Sequence, residues 1–508
     1  MRLPCEGVMI ILCSWQVFQM IPASGFSSQG VSVATVPRRK HMSRSATIES
    51  TPTNTEHHVG DRLSLPPRKL LIHWRGEDVE GYSFAFRHPE LLGALAAVTN
   101  NPLLESHEDS SPIHFCNALN YNGESELPEV KLKAFNSAMQ WVTHHGKAGL
   151  DGGGPWMISR NDIAVAASRC ALIHTIYEVV AEGQSYSDLA VHAMENGGFE
   201  DMMTGGENQE DTWAVRVRHY GGEADSKKER RSGTRTRSCT MEKEALLALK
   251  PMLLKFGGGV DLKDPDCKIN VFDGLDGTGS ANKVLARKMG TGLPKLFSIA
   301  PATRICVTTT PLEPIAACSL CNIAGVSTDQ TILDPYSGSC AILLAAAMMA
   351  PSCQTVGVDV AHDGLINRDH ILQDFEFRGL ARPKAIFRGD SIDPMVRDRA
   401  RAAIGEEPFD HIITDPPYGI REKMDANAPS PLEDLFTALE HDRDRGRRLL
   451  KVGGRLVCFV PCNPTVDIQK VLPSQAKTER AGMKFLQSQE QPLNSGLSRW
   501  LVSYECTK

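Results

Sequence analysis

With 508 residues and 41% hydrophobic content, the chain has material for two or three cores, since single domains usually hold about 100–200 residues. A formal net charge of -6 excludes a polybasic binder, so any contact with nucleic acid must come from a local patch. Fourteen cysteines at irregular spacing, several of them in apolar runs as at Cys170, Cys340 and Cys458, read as reduced thiols rather than a disulfide framework. No apolar run reaches the roughly 18 residues that a membrane helix needs, so no membrane partner is expected.

The N-terminus has a signal-peptide layout: Arg2, a diluted apolar stretch from Val8 to Met20, then Ile21-Pro22-Ala23-Ser24-Gly25-Phe26. Phe26 to Ile48 is rich in Ser, Thr and basic residues and contains no acid, which is transit-peptide composition. Ala23-Ser24-Gly25-Phe26 also resembles the cleavage site of plastid-targeted proteins in algae with secondary plastids. A true start at Met42 is the competing reading. The expected compartment is cytoplasmic, or plastid if the leader is a targeting peptide. Residues 27–67 have no hydrophobic period and are expected to be disordered.

Order is expected from Arg68, with a strand at Leu70–Trp74 and a helix at Pro89–Val98 opening an α+β unit over 68–160. Gly146 to Gly154 reads as a loop. A second α+β segment, 161–278, is predicted to hold a helix at Ala164–Glu182, a strand at Trp213–Val217, and a helix at Glu242–Phe256 with a kink at Pro251. Residues 279–313 read as a linker. From 314 to 508 short β-like runs alternate with helical stretches: Gln330–Leu333, Thr355–Val358, Lys384–Phe387, His411–Thr414 and Arg455–Val460. That alternation predicts an α/β domain with a doubly wound parallel sheet. Cys318 and Cys321 form a lone CxxC in the helical run Ala316–Ala324 and read as helix residues, with no metal site expected.

Ligands of doubly wound sheets sit at the carboxyl ends of the strands. The first strand here runs into Asp334-Pro335-Tyr336-Ser337-Gly338-Ser339-Cys340, a turn that opens a helix and offers backbone N–H groups. The second ends at Asp359, where an acid can accept both ribose hydroxyls of a nucleoside. Asp390 follows the third and can accept from an adenine amine. After the fourth comes Asp415-Pro416-Pro417-Tyr418. The Asp415 carboxylate and Pro416 carbonyl can accept the two hydrogens of an exocyclic base amine and aim its lone pair at a methyl sulfonium. The prolines fix φ, and Tyr418 offers a face for an unstacked base. An ordinary β-turn is the bland alternative, and the ordered acids upstream count against it.

Thr414 to Lys423 resembles the catalytic loop of the eukaryotic tRNA (guanine-10-N2) methyltransferase catalytic subunits, a family with a THUMP RNA-binding segment and a class I, Rossmann-like methyltransferase domain. Val260-Asp261-Leu262-Lys263-Asp264-Pro265-Asp266 resembles a THUMP strand-turn, with Asp264 in place of the usual Asn. Cys170 to Glu178 with Ser185-Tyr186 is similar to the family's helix before its RNA-binding core, and Thr310-Pro311-Leu312-Glu313 resembles its cofactor-enclosing helix start. The match runs from about 69 to 508, excluding an acidic insertion near Leu103 to Pro128. Cys340 stands where the family has glycine. The resemblance implies S-adenosyl-L-methionine as cofactor, held by Thr310, Asp334, Tyr336, Gly338, Ser339, Asp359 and Asp390. It also implies catalysis by Asp415, Pro416, Pro417 and Tyr418, tRNA as substrate, and a heterodimer with a small zinc-binding activator subunit.

Lys227, Lys228, Arg230, Arg231, Arg235 and Arg237 lie within eleven residues against a single acid, Glu229. They form either a phosphate footprint inside the THUMP-like segment or a solvated loop. A DNA adenine-N6 methyltransferase would share Asp-Pro-Pro-Tyr but needs no THUMP-like segment. A glutamine-N5 protein methyltransferase would more often carry Asn at 415.

Overall fold

The computed structural model describes residues 69–75, 83–100, 113–119, 136–144, 158–219, 235–275, 283–361, 366–418 and 430–507. The leader, the expected loop at 146–154, the expected disorder at 27–67, and Lys227, Lys228, Arg230, Arg231, Arg421 and Lys423 lie outside these.

The first half builds a seven-stranded sheet from β1 (Leu70–Trp74), β2 (Ile113–Asn117), β3 (Met139–His144), β4 (Ile173–Gly183), β5 (Trp213–His219), β6 (Cys267–Asp273) and β7 (Lys283–Thr291), in the order β2-β3-β1-β4-β7-β6-β5. Helices α1 (Arg87–Thr99), α2 (Arg160–Arg169), α3 (Tyr186–Glu195) and α4 (Arg235–Leu253) accompany it. Ser159 and Ser185 cap α2 and α3, each in a reciprocal capping box with the acid at the third helical position.

Three expectations change here. The predicted helix Ala164–Glu182 is two elements, because α2 ends at Arg169 and Ile173–Gly183 is the central strand β4. Buried on both faces, β4 shows neither alternation nor helical period, while its Ile, Thr and Val residues favour a strand. The segment similar to a family helix is therefore a strand here. The sheet also crosses the boundary expected at 160/161, since β1 pairs with both β3 and β4. Finally, the predicted linker 279–313 contains β7, paired with β4 and β6, and the expected insertion contains β2, paired with β3.

The second half forms a second sheet from β8 (Thr331–Asp334), β9 (Gln354–Asp359), β10 (Ala385–Arg388), β11 (Phe409–Thr414), β12 (Leu450–Cys462), β13 (Met483–Asn494) and β14 (Leu497–Cys506), in the order β10-β9-β8-β11-β12-β14-β13. The first five are parallel, and β14 is antiparallel to both β12 and β13. Helices α5 (Pro314–Ala324), α6 (Ala341–Met349) and α7 (Arg368–Phe377) share a core with Ile332, Ile413, Val457, Phe459 and Leu501. Helices α8 (Pro394–Ala402) and α9 (Pro431–Asp444) pack with the alternate residues Leu333, Ile412, Leu456, Cys458 and Val502. This period-2 split puts helices on both faces, as the sequence predicts for a doubly wound sheet. A short helix, α10 (Gln475–Arg480), precedes β13.

The two sheets belong to one compact unit, residues 65–508. Helix α1 lies on α5 so closely that a Cβ at Gly93 would stand 2.2 Å from the Asn322 carbonyl oxygen. Glu90 of α1 is fully buried between the halves. Its carboxyl accepts from the Ala171 and Leu172 amides, at 2.7 and 2.9 Å, and from the Asn322 side chain at 3.2 Å. Cys318 and Cys321 are buried free thiols on α5.

Candidate active site

Parallel pairing of β10, β9, β8 and β11 brings Asp390, Asp359, Asp334 and Asp415 to one edge of the second sheet. Hydrogen bonds between neighbouring loops fasten this edge. The Ser337 amide donates to the Val358 carbonyl at 2.8 Å, the Gly338 amide to Asp359 Oδ2 at 2.8 Å, and the Gly389 amide to the Asp359 carbonyl at 2.9 Å. Gly357 permits the approach, because a Cβ there would meet Ser337 Oγ at 2.9 Å.

Asp334 is 1% exposed, and its Oδ1 accepts from the Thr414 hydroxyl at 2.7 Å and the Tyr336 amide at 3.2 Å. Burial pushes its pKa up to about 7, with Asp359 and Asp415 adding to the rise. These bonds tie the end of β8 to the end of β11, so Asp334 acts on the site by fastening it. Asp359 Oδ1 accepts from the Ala361 amide at 2.8 Å, and Asp390 Oδ1 from the Ile392 amide at 3.0 Å. Each carboxylate oxygen has a second lone pair for a ligand hydroxyl or amine. The exposed side chains Val360 and Ile392 stand beside these acids. Polar acceptors next to apolar surface suit a nucleoside, whose ring is flat and apolar with polar edges.

Tyr336 is half-buried, its hydroxyl directed at the Pro431 carbonyl at 3.4 Å, and burial pushes its pKa up to about 12. Ser339 Oγ accepts from Arg304 Nη1 at 3.0 Å. Arg304 is buried, and nothing in the sequence marked it. Cys340 has φ +61° at the start of α6, so the position where the family carries glycine does require the left-handed region. Thr310 is exposed on the segment that leads into α5. Arg235 and Arg237 fall in the first turn of α4.

After β11 the chain turns through Asp415, Pro416, Pro417 and Tyr418, and the Tyr418 hydroxyl folds back to donate to Asp415 Oδ1 at 2.7 Å. Burial and the Asp415 charge raise the Tyr418 pKa well above the ordinary phenol range, so the hydroxyl stays a donor. Arg499 of β14 approaches this pair, a residue that the sequence did not mark. Its identity as a lone basic residue in an apolar run was the only signal.

Fold and site together define a class I methyltransferase domain, whose methyl donor is S-adenosylmethionine. Residues 301–401 match the RMKL-like methyltransferase domain family. The chain is 25% identical over 229 residues to the U6 snRNA (guanine-N(2))-methyltransferase of Homo sapiens, covering 45% of this chain and 39% of that protein. It is 26% identical over 306 residues to the tRNA (guanine(10)-N(2))-methyltransferase of Xenopus laevis, covering 53% of this chain and 61% of that one. The matches thus span less than two thirds of either relative's length. Among solved structures, TrmN from Thermus thermophilus aligns with 86% of this chain and 99% of its own at 18% identity and a TM-score of 0.36. Among the described residues, no helix is long and apolar enough to cross a membrane and no cluster of metal-ligating side chains occurs.

Proposed function

We propose that this protein methylates the exocyclic N2 amine of guanine in RNA, with tRNA, at position 10, as the favoured substrate. The observation that carries the reading is Asp415-Pro416-Pro417-Tyr418 placed after β11, beside three strand-end acids on the same sheet edge. S-adenosylmethionine supplies an electrophilic methyl group on a sulfonium. Asp359 and Asp390 accept from its nucleoside, while Thr310, Tyr336, Gly338 and Ser339 line its binding segment and Asp334 secures that segment. The Asp415 carboxylate and Pro416 carbonyl accept the amine hydrogens and so direct the nitrogen lone pair. With the cofactor held there, the nitrogen would take the methyl group as the methyl–sulfur bond breaks, the bonding pair staying on sulfur and the surplus amine proton passing to solvent, while Asp415 and Pro416 keep the nitrogen in place. Pro417 shapes the turn, and the Tyr418 ring supports the base, a contact worth about 1–3 kcal/mol in single-stranded recognition.

Lys227, Lys228, Arg230, Arg231, Arg235 and Arg237 contact RNA phosphates. The partner is a small zinc-binding activator subunit docked on apolar surface of the methyltransferase domain. Residues 161–278 act as the THUMP-like region within the first sheet. The site of action is cytoplasmic, or plastid if the leader directs import.

The human relative's name makes U6 snRNA the second substrate to assay. The test is incubation with labelled S-adenosylmethionine and either unmodified tRNA or U6 snRNA, with and without the co-expressed activator, followed by nucleoside analysis. The expected product is N2-methylguanosine from tRNA. Label only in adenosine or in protein would overturn the assignment, and label in U6 alone would move the substrate.

A further inference from the structure

Arg397 of α8 and Asp442 of α9 form a buried ion pair, 3% and 0% exposed. A buried cation is costly unless it is paired and hydrogen-bonded. Here the planar guanidinium divides its donors between two partners. Nε and Nη2 make a fork on the Asp442 carboxylate, at 2.6 and 2.9 Å. Nη1 donates to two successive backbone carbonyls, those of Ser391, at 3.1 Å, and Ile392. A pair that served only to hold α8 against α9 would be complete with the fork alone.

The two carbonyls belong to the turn that carries Asp390, which the Asp393 amide closes by donating to the Asp390 carbonyl at 3.0 Å. Within that turn the peptide group joining Ser391 and Ile392 bonds in two directions. Its C=O accepts from Arg397, and its N–H donates to Asp390 Oδ1 at 3.0 Å. A peptide group is planar, so fixing its carbonyl fixes its amide. Asp390 itself is exposed, and this amide orients its carboxylate. We infer that Arg397 is a positioning residue for cofactor recognition, which holds from the buried side of the turn the peptide that aims Asp390 at the adenine amine. The inference rests on the reading of Asp390 as the acceptor for that amine. Lysine at 397 would keep the charge, but a single ammonium lacks the planar fork that grips Asp442 and both carbonyls at once.

The experiment is calorimetric titration of the full chain with S-adenosylhomocysteine and with S-inosylhomocysteine, in which a carbonyl replaces the adenine amine. The wild-type protein is expected to prefer the adenosyl ligand by about 10- to 100-fold, the range for a hydrogen bond to a charged acceptor. Arg397→Lys should narrow that preference to below about 3-fold while leaving the affinity for the inosyl ligand unchanged. A second variant, Arg397→Met combined with Asp442→Leu, removes both charges together and leaves no buried ion unpaired. It is expected to fold and to show the same narrowed preference. A folded variant of either kind that keeps the wild-type preference overturns the inference. So does an equal loss of affinity for both ligands, which is what general damage to the fold would give. No preference in the wild-type protein removes Asp390 from base recognition and the inference with it, an outcome distinct from a preference that survives in the variants.

Discussion

The chemistry proposed for this site turns on one carboxylate, and in that proposal Asp415 serves the amine rather than the sulfonium. Asp415→Ala is therefore expected to abolish methyl transfer while leaving the dissociation constant for S-adenosylmethionine within a few-fold of wild type. Turnover close to wild type would remove Asp415 from the mechanism. Cys340 poses a different residue-scale question, because a left-handed conformation costs a non-glycine residue about 1–2 kcal/mol. Its side chain is fully buried, so Cys340→Gly trades that strain for the loss of a small packed group of similar worth. Near-neutral stability is expected from denaturant unfolding of this variant. Cys340→Val adds a β-branched side chain in the same conformation and should destabilise by more than about 2 kcal/mol. Equal stability of the glycine and valine variants would show that the positive φ costs nothing here.

Helix α1 and helix α5 meet through a glycine, and that contact decides how the two halves of the unit are held. Alanine at 93 gains about 1 kcal/mol in helix propensity over glycine. Against this, its Cβ would lie 2.2 Å from a backbone oxygen that no side-chain rotation can relieve. Overpacking of that kind costs about 1–3 kcal/mol, so Gly93→Ala is expected to lower Tm despite the better propensity. A raised Tm would mean that α1 slides freely on α5. The same elements show why β4 was not legible as a strand. Its residues Ile173 to Val180 are almost all buried, and a short apolar run buried on both faces has no period to separate strand from helix. The break between α2 and β4 comes from a distant residue, since Glu90 takes the Ala171 and Leu172 amides.

Across the whole molecule, two buried carboxyls link stability to pH. Burial raises Glu90 from 4.5 to about 7 and Asp334 from 3.8 to about 7. Both prefer the neutral form when folded, so below the ordinary carboxyl range they cost nothing. As pH rises toward 7 the unfolded chain releases these protons first, and stability falls across that window before levelling off above it. His174 and His411, which burial lowers to about 4 and about 3, act in the opposite sense below the ordinary imidazole range, so the carboxyl contribution is read by comparison: between pH 5 and pH 7, urea unfolding should show Glu90→Gln losing less stability than the wild type. An equal change in the two proteins would show that Glu90 does not titrate in this window. At the same scale, the net charge of -6 makes RNA affinity depend on a local cluster. Reversing Lys227, Lys228, Arg230 and Arg231 to Glu is expected to weaken tRNA binding and flatten its dependence on salt, without changing cofactor affinity. An identical salt slope would mark the segment as a solvated loop.

The sequence by itself determined the doubly wound domain and the order of its four strand-end acids, because parallel strands and their turns are written in local runs and in short motifs such as Asp415-Pro416-Pro417-Tyr418. It also located the glycine-like position at Cys340. Only the tertiary structure decided that 68–160 and 161–278 share one sheet, that Asp334 is spent on Thr414, and that Arg499 of β14 reaches Glu313 before α5. Those facts depend on pairing between residues far apart in the chain, as Arg499 with Glu313 or Glu90 with Asn322. The burial that makes such pairings matter is a property of the packed chain, and local pattern does not carry it.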